Sequence, residues 1–211
     1  MSYQLTKEEL RNEKKRREEF KNIERNDIYI ILDSLKCAHN VGTILRLSDS
    51  LLAKKVYICG NTIVPPNKKI RSSSRGAEKW VPWEYHENAV SVAKALKESG
   101  VQIVAVEVTN DSIDYREYNP KGPVCLILGR EYDGVSQELL DIADISIHLP
   151  LLGMANSINV GAAASVAMYD VYSKLEQLKK ENNKTVSKST RRWWIIHLLL
   201  ILYKKRRENS S

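Results

Sequence analysis

The sequence predicts an α/β domain, a mostly parallel sheet covered by helices on both faces. Three observations carry that expectation. Short runs rich in Val, Ile and Leu recur between residues 28 and 149, and a strand that is apolar throughout is one buried on both faces. Stretches with helical spacing separate those runs, the alternation from which parallel sheets are built. Glycine, asparagine and serine gather just after the strands, where open α/β sheets collect their ligands.

The elements follow in order. Residues 5–25 (LTKEELRNEKKRREEFKNIER) read as a charged helical arm with little apolar face. Ile28–Leu32 (IYIIL) is the first strand, and Val41, Ile44, Leu45 and Leu52 predict a helix over 41–52. Lys55–Cys59 is strand, and Glu87–Ser99 is helix, closed by Gly100 as a C-terminal stop. Val101–Val108 and Val124–Leu128 are strands, Ser136–Ile142 a short helix and Ile145–Leu149 a strand. Asn159–Leu178 is a long closing helix. There is no internal repeat. The chain thus divides into a charged arm (1–25), a body (26–178) and a basic linker with a short apolar tail (179–211).

Composition narrows the function classes. With 43% apolar and 28% charged residues the chain has a core, which excludes wholesale disorder and collagen-like structure. The net charge of +7 divides as +2 in residues 1–25, −3 in 26–173 and +8 in 174–211. A lysine-rich tail on a mildly acidic body suits a phosphate backbone, or serves solubility alone. Three cysteines, Cys37, Cys59 and Cys125, are far apart in apolar surroundings, so they form neither a disulfide framework nor a zinc ribbon. Free thiols and the lack of an apolar leader point to the cytoplasm. His39, His86, His148 and His197 share no metal-ligand spacing, and neither a phosphate-binding P-loop nor a G-x-G-x-x-G fingerprint occurs. No metal is expected. In the tail, Trp193–Tyr203 lies between Arg191-Arg192 and Lys204–Arg207. Eleven helical residues reach about 16 Å, roughly half a bilayer core, so the segment does not span. It docks on the body, joins an interface or lies at a membrane surface, and a membrane partner ranks last.

Four segments could carry chemistry. Asn40–Arg46 (NVGTILR) follows a strand and opens a helix, with Asn40 placed to cap it and Arg46 to grip an anion, or to pair with Asp49 or Asp33. Leu128–Gly134 (LGREYDG) ends a strand in Gly129, which admits a ligand close to the backbone, and then offers Glu131. It also reads as an ordinary turn. Leu149–Gly161 (LPLLGMANSINVG) is apolar where loops are usually polar. Its backbone groups need partners that a flat heteroaromatic ligand could supply, and Ser157 or Asn159 could cap the next helix. The loop 65–79 (PPNKKIRSSSRGAEK) holds Lys68, Lys69, Arg71, Arg75 and Lys79. With Trp80 and Trp83 it suits phosphate contact and base stacking, or is a solvated excursion.

The first three segments, in this order, resemble the SPOUT superfamily of RNA methyltransferases, specifically its SpoU/TrmH family. Asn40 to Arg46 is similar to that family's first motif, N-x-G-x-x-x-R. Leu126 to Glu131 is similar to the second, an apolar strand followed by Gly, a variable residue and Glu. Leu149 to Val160 is similar to the third, with Pro150, Gly153, Ser157 and Asn159 in register. The likeness covers residues 28–173. The serine-rich basic loop and Asp114–Glu117 look closest to the tRNA guanosine ribose methyltransferases. Gly161 stands where many relatives have Ser, and the apolar tail is unlike the family's usual basic helix.

The resemblance implies S-adenosyl-L-methionine as cofactor, a C-terminal trefoil knot, and a homodimer with the site near its interface. Cofactor contacts fall on Gly129, Leu149 and Ile158, with Leu128 and Gly153 beside them. The catalytic set is Arg46, Asn40, Glu131, Ser157 and Asn159. The implied reaction moves a methyl group to a ribose 2′-hydroxyl in RNA, tRNA before rRNA. Arg46 either activates that hydroxyl or clamps the adjacent phosphate so that a phosphate oxygen takes the proton, because a guanidinium stays charged at neutral pH. Two other classes stay open: an RNA-binding or assembly protein that keeps the fold without transferring methyl groups, and a peripheral membrane protein anchored by 191–207.

Overall fold

The computed structural model describes residues 2–182 apart from 13, 15 and 21. The apolar tail and most of the basic linker lie outside those residues. Seven strands form one sheet: β1 (Asn26–Asp33), β2 (Ala53–Cys59), β3 (Trp83–His86), β4 (Gln102–Val106), β5 (Ile113–Asp114), β6 (Val124–Leu128) and β7 (Ile145–His148). Their order is β3-β2-β1-β6-β4-β7-β5 and every neighbouring pair is parallel. From β1 the chain works outward to β3, then crosses to the opposite flank for β4. The carboxyl ends of β1 and β6 therefore feed connections that part company, which opens a crevice between them.

Helices cover both faces, as the apolar strands require. On one face, Ile28, Ile30 and Leu32 of β1 pack with Val41, Ile44 and Leu45 of α3 (Ala38–Ser50) and Ile70 of α4 (Lys68–Ser74). The closing helix, α7 (160–182), adds Ala164, Ala167, Met168 and Val171 to the same cluster. On the other face, Ile31, Ile103 and Ile127 meet Val92, Ala93 and Leu96 of α5 (Ala89–Glu98) and Leu139 of α6 (Gln137–Leu140). Among the described residues, no helix is long and apolar enough to cross a membrane.

Several elements differ from the sequence expectation, each for a physical reason. The arm is two short helices, α1 (Lys7–Asn12) and α2 (Arg17–Phe20), and its end is docked. Phe20 meets Trp80 edge-on at 5.8 Å, and the Arg25 guanidinium donates to the carbonyls of Trp80 (2.7 Å) and Ala53 (3.2 Å). The stretch read as a loop over 65–79 contains α4, capped by Asn67, whose Oδ1 accepts from the N–H groups of Lys69 (2.8 Å) and Ile70 (3.2 Å). The buried residues of that helix are Ile70 and Ser74, only the first of them apolar, so no apolar periodicity announces it. Strands β3 and β5 are edge pieces of four and two residues, too short and too polar for a period to register. Helix α3 starts three residues before the expected Val41, because its free N–H groups are satisfied from elsewhere in the fold, as described below.

Helix α4 lies across α3 at Gly42. A Cβ on Gly42 would stand 2.0 Å from Ser73 Oγ and 2.6 Å from the Ile70 carbonyl oxygen. The hydroxyl can rotate away, but the carbonyl belongs to backbone. Gly42→Ala is therefore expected to cost about 1–3 kcal/mol by overpacking and to push α4 off α3. Denaturant unfolding measures the loss, and a variant as stable as the wild type would refute this packing.

Candidate active site

Three segments distant in sequence meet at the carboxyl edge of β1 and β6. Leaving β1, the chain turns through Ser34 (φ 59°). Buried Thr62 braces that turn, accepting from the Leu35 N–H (2.9 Å) and donating to the Leu32 carbonyl (3.1 Å). Helix α3 then begins after Cys37, which offers no side-chain cap. Glu131, from the loop after β6, supplies the missing acceptor. Its carboxylate accepts from the N–H groups of Lys36 (3.1 Å) and Cys37 (2.9 Å) and from the Asn40 amide (3.2 Å). A carboxylate at a helix start also suits the helix dipole.

The chain of bonds continues into the third segment. Asn40 is 3% exposed, and its Oδ1 accepts from Asn159 Nδ2 (3.0 Å). Asn159 Oδ1 in turn accepts from the N–H groups of Gly161 (2.9 Å) and Ala162 (3.3 Å), which caps α7. Asn40 is thus not the cap of its own helix. It sits inside the first turn and joins Glu131 to Asn159. Asn159 rather than Ser157 caps the closing helix. Burial pushes the Glu131 carboxyl up, but the two N–H groups and the Asn40 amide outweigh it and hold its pKa below the usual value.

A cavity of about 410 Å³ opens beside this relay, within the range of small-molecule sites. Gly129, Leu149, Ser157, Ile158 and Asn159 line it, whereas Leu128 is buried beneath it in the sheet and Gly153 lies outside the lining. Two glycines, Gly129 and Gly134, are part of the wall. A Cβ on Gly129 would stand 2.3 Å from the Gly134 carbonyl carbon and the Val135 nitrogen, so the loop 129–135 folds back on itself only with glycine there. Arg130 and Gly134 bridge the two limbs of that loop, N to O at 3.0 and 3.1 Å. A second cavity of about 440 Å³ lies across it, lined by Ser34, Lys36, Asn61 and Asp133 and sharing Arg130, Glu131 and Tyr132 with the first.

Two polar groups in the first cavity escaped the sequence reading. Glu107, just past β4, and His148, at the end of β7, both line it. His148 Nδ1 lies 3.0 Å from Ser112 Oγ. Each stands at the carboxyl end of a largely apolar strand, and that placement is the signal that could have marked them.

The remaining expected residues sit apart. Arg46 is exposed on α3, six residues or about 9 Å along the axis from Asn40. Among the described residues it pairs with neither Asp33 nor Asp49. Arg130 Nη2 lies 3.9 Å from Asp33 instead. Lys68, Lys69, Arg71, Arg75 and Lys79 are all exposed on or beside α4. Of the two tryptophans expected to stack on bases, Trp80 meets Phe20 edge-on, and Trp83 donates its indole N–H to the Glu78 carbonyl (3.0 Å). No cluster of metal-ligating side chains occurs among the described residues.

Comparison with known proteins adds three findings. The model of the SpoU rRNA Methylase family matches residues 27–169. The chain is 30% identical over 147 residues to the tRNA (guanosine(18)-2′-O)-methyltransferase of Escherichia coli K12, covering 68% of this chain and 62% of that protein. It is 32% identical over 152 residues to the enzyme of that name from Aquifex aeolicus, covering 72% and 71%. Among solved structures, the A. aeolicus TrmH/SpoU tRNA modifying enzyme superposes with a TM-score of 0.68 at 31% identity, over 75% of this chain and 80% of that one. An AdoMet-bound rRNA methyltransferase from Sinorhizobium meliloti gives 0.66 at 26%, over 72% and 59%. The chain thus spans about three fifths of the length of the E. coli relative.

The relay is titratable. Glu131 stabilises the fold while ionised, and that contribution disappears as pH falls through its lowered pKa. Glu131→Gln is expected to cost about 1 kcal/mol at neutral pH, a charge-assisted bond discounted for exposure. The deficit should shrink below the ordinary carboxylate range, where the wild-type group is neutral too. Urea unfolding of both proteins at about pH 7 and about pH 3 tests this, and a pH-independent deficit would contradict it.

Proposed function

The chain belongs to the SpoU rRNA methylase family, and from that premise we propose that it transfers a methyl group from S-adenosyl-L-methionine to a ribose 2′-hydroxyl of RNA, with tRNA as substrate. One observation carries the reading. The Glu131–Asn40–Asn159 relay draws all three motif segments to one side of a glycine-walled cavity of about 410 Å³. The relatives named for tRNA ribose methylation, at 30–32% identity, favour tRNA over rRNA.

The residues fit the donor. Leu149, Ile158 and Val106 offer apolar contact to a flat ring, and Gly129 and Gly134 bring backbone to the cavity wall. The bound donor supplies a sulfonium methyl whose departing sulfur is neutral, so transfer to oxygen needs no metal. The protein's task is to place the acceptor hydroxyl in line and remove its proton, and placement alone is worth several kcal/mol. Glu131 and Asn40 hold the first turn of α3 rigid beside the cavity, and Ser157 presents its hydroxyl at the cavity wall. Arg46, exposed farther along the same helix, grips the phosphate next to the target ribose, and a phosphate oxygen takes the proton. A guanidinium with no carboxylate partner among the described residues is suited to that grip.

The rest of the molecule serves the substrate. Lys68, Lys69, Arg71, Arg75 and Lys79 bind the RNA backbone, with the charge of 179–211 assisting. The parts are a docked arm (1–25), the transferase body (26–178) and the basic tail. We propose that the segment between β6 and α7 forms a trefoil knot. Strand β7 lies beyond β4, yet Asn159 bonds Asn40 beside β1, so the chain after β7 crosses back over the β6 loop. A homodimer would cover Leu152 (97% exposed) and Met154 (100%), apolar side chains that stand out beside the cavity. Free Cys37, Cys59 and Cys125 suit the reducing cytoplasm.

Arg46→Ala is expected to abolish methyl transfer to tRNA while calorimetry still detects donor binding. Near-normal turnover of that variant would remove Arg46 from the reaction, and absence of donor binding to the wild type would remove the function. Replacing Lys68, Lys69 and Arg71 together by Glu should weaken tRNA binding at least tenfold and flatten its salt dependence by about one unit of slope for each phosphate no longer neutralised. An unchanged salt slope would take α4 out of the RNA interface.

A further inference from the structure

The cavity contains two carboxylates whose surroundings differ. Glu131 carries three protein donors, from Lys36, Cys37 and Asn40. Glu107 carries two: Oε1 accepts from the Val108 N–H (3.0 Å) and Oε2 from the Val135 N–H (3.0 Å). A carboxylate has about four lone-pair sites, so Glu107 is fixed in place at both oxygens and keeps one free site on each. Its position is enforced from the far side of the loop. Gly134 has a positive φ of 68°, and a Cβ there would stand 2.3 Å from Glu107 Oε2. The loop thus closes directly onto the carboxylate.

Placement in the sheet indicates which part of the donor this group meets. The relay that gathers the acceptor residues lies at the ends of β1 and β6, whereas Glu107 follows β4, the next strand outward. Two strand spacings separate β1 from β4, about 10 Å. A donor whose methyl carbon points to the relay can extend its nucleoside portion across this distance to β4. Two adjacent oxygens with spare acceptor sites are complementary to a vicinal pair of hydroxyls. Resting on the reading of this cavity as the donor site, we infer that Glu107 recognises the 2′,3′-diol of the donor's ribose. Its role is to bind and orient the nucleoside, and it takes no part in proton transfer.

The test is isothermal titration calorimetry of the full chain with S-adenosylhomocysteine and with its 2′-deoxy and 3′-deoxy counterparts, on the wild type and on Glu107→Gln. The wild type should lose roughly 10–100-fold in affinity when a hydroxyl is removed, the size of a charge-assisted hydrogen bond. Glu107→Gln should weaken S-adenosylhomocysteine by a similar factor yet bind the deoxy compounds about as well as the wild type does. The inference is overturned if the variant loses the same factor for all three ligands, since Glu107 would then only hold the loop. It is also overturned if the wild type binds the deoxy compounds as tightly as the parent, a result that does not depend on the variant folding. Failure of S-adenosylhomocysteine itself to bind the wild type would be a different outcome, sinking the donor-site reading and this inference with it.

Discussion

The Glu131 carboxylate does two jobs with one set of hydrogen bonds. It accepts from the two N–H groups just ahead of α3, those of Lys36 and Cys37, and through Asn40 it reaches the cap of α7. Two helices that pack on the same face of the sheet are thereby held at their N-terminal ends by a single network. Asn40 lies almost wholly buried in the middle of it, where an unmade hydrogen bond is costly. The residues that resemble a catalytic set are thus also the residues that fix the geometry of the crevice. A change at Asn40 or Glu131 would disturb that geometry directly, whereas Arg46 stands clear of the network.

The sheet order makes this economy possible. Because β1 and β6 are neighbours whose connections diverge, the loop after β6 reaches the turn after β1 without crossing another strand. The chain leaving β7 has farther to go, since Asn159 bonds Asn40 two strands beyond β4. The loop after β6 and the last connection line the cavity on one side, while Val106 of β4 and Ile147 and His148 of β7 line it too. The basic helix α4 is seated on α3 at Gly42 with no room for a methyl group, so its lysines and arginines stand in a fixed relation to Arg46.

Much of this was legible in the sequence, and the omissions have causes. The apolar strands and the larger helices declared themselves because a doubly covered parallel sheet leaves few polar positions in its strands. The three motif segments were visible from their glycine, asparagine and apolar content. The start of α3 was misplaced because its cap comes from Glu131, 94 residues from Cys37, and no local pattern encodes that. Helix α4 was hidden by its charges and by having little more than Ile70 to bury, although Asn67 was a cap signal that could have been read. Trp80 and Trp83 looked like stacking surfaces for bases, yet the sequence could not show that Phe20 and the Glu78 carbonyl claim them. Glu107 and His148 fell within the expected strands 101–108 and 145–149, where a single polar residue among apolar ones reads as part of the sheet, not of a site.

The bond between Asn40 and Asn159 spans 119 positions of the chain, and this sets the order in which the protein can be assembled. While the polypeptide emerges from the ribosome, β1 to β3 and the helices between them can collapse early, because their contacts are local. The crevice cannot. Until residue 159 has been synthesised and brought back past the β6 loop, the Asn40 side-chain oxygen lacks this partner and α7 has no cap. A nascent or truncated chain ending before that point would be largely folded yet lack the bond that closes the crevice, so the crevice takes shape late and all at once.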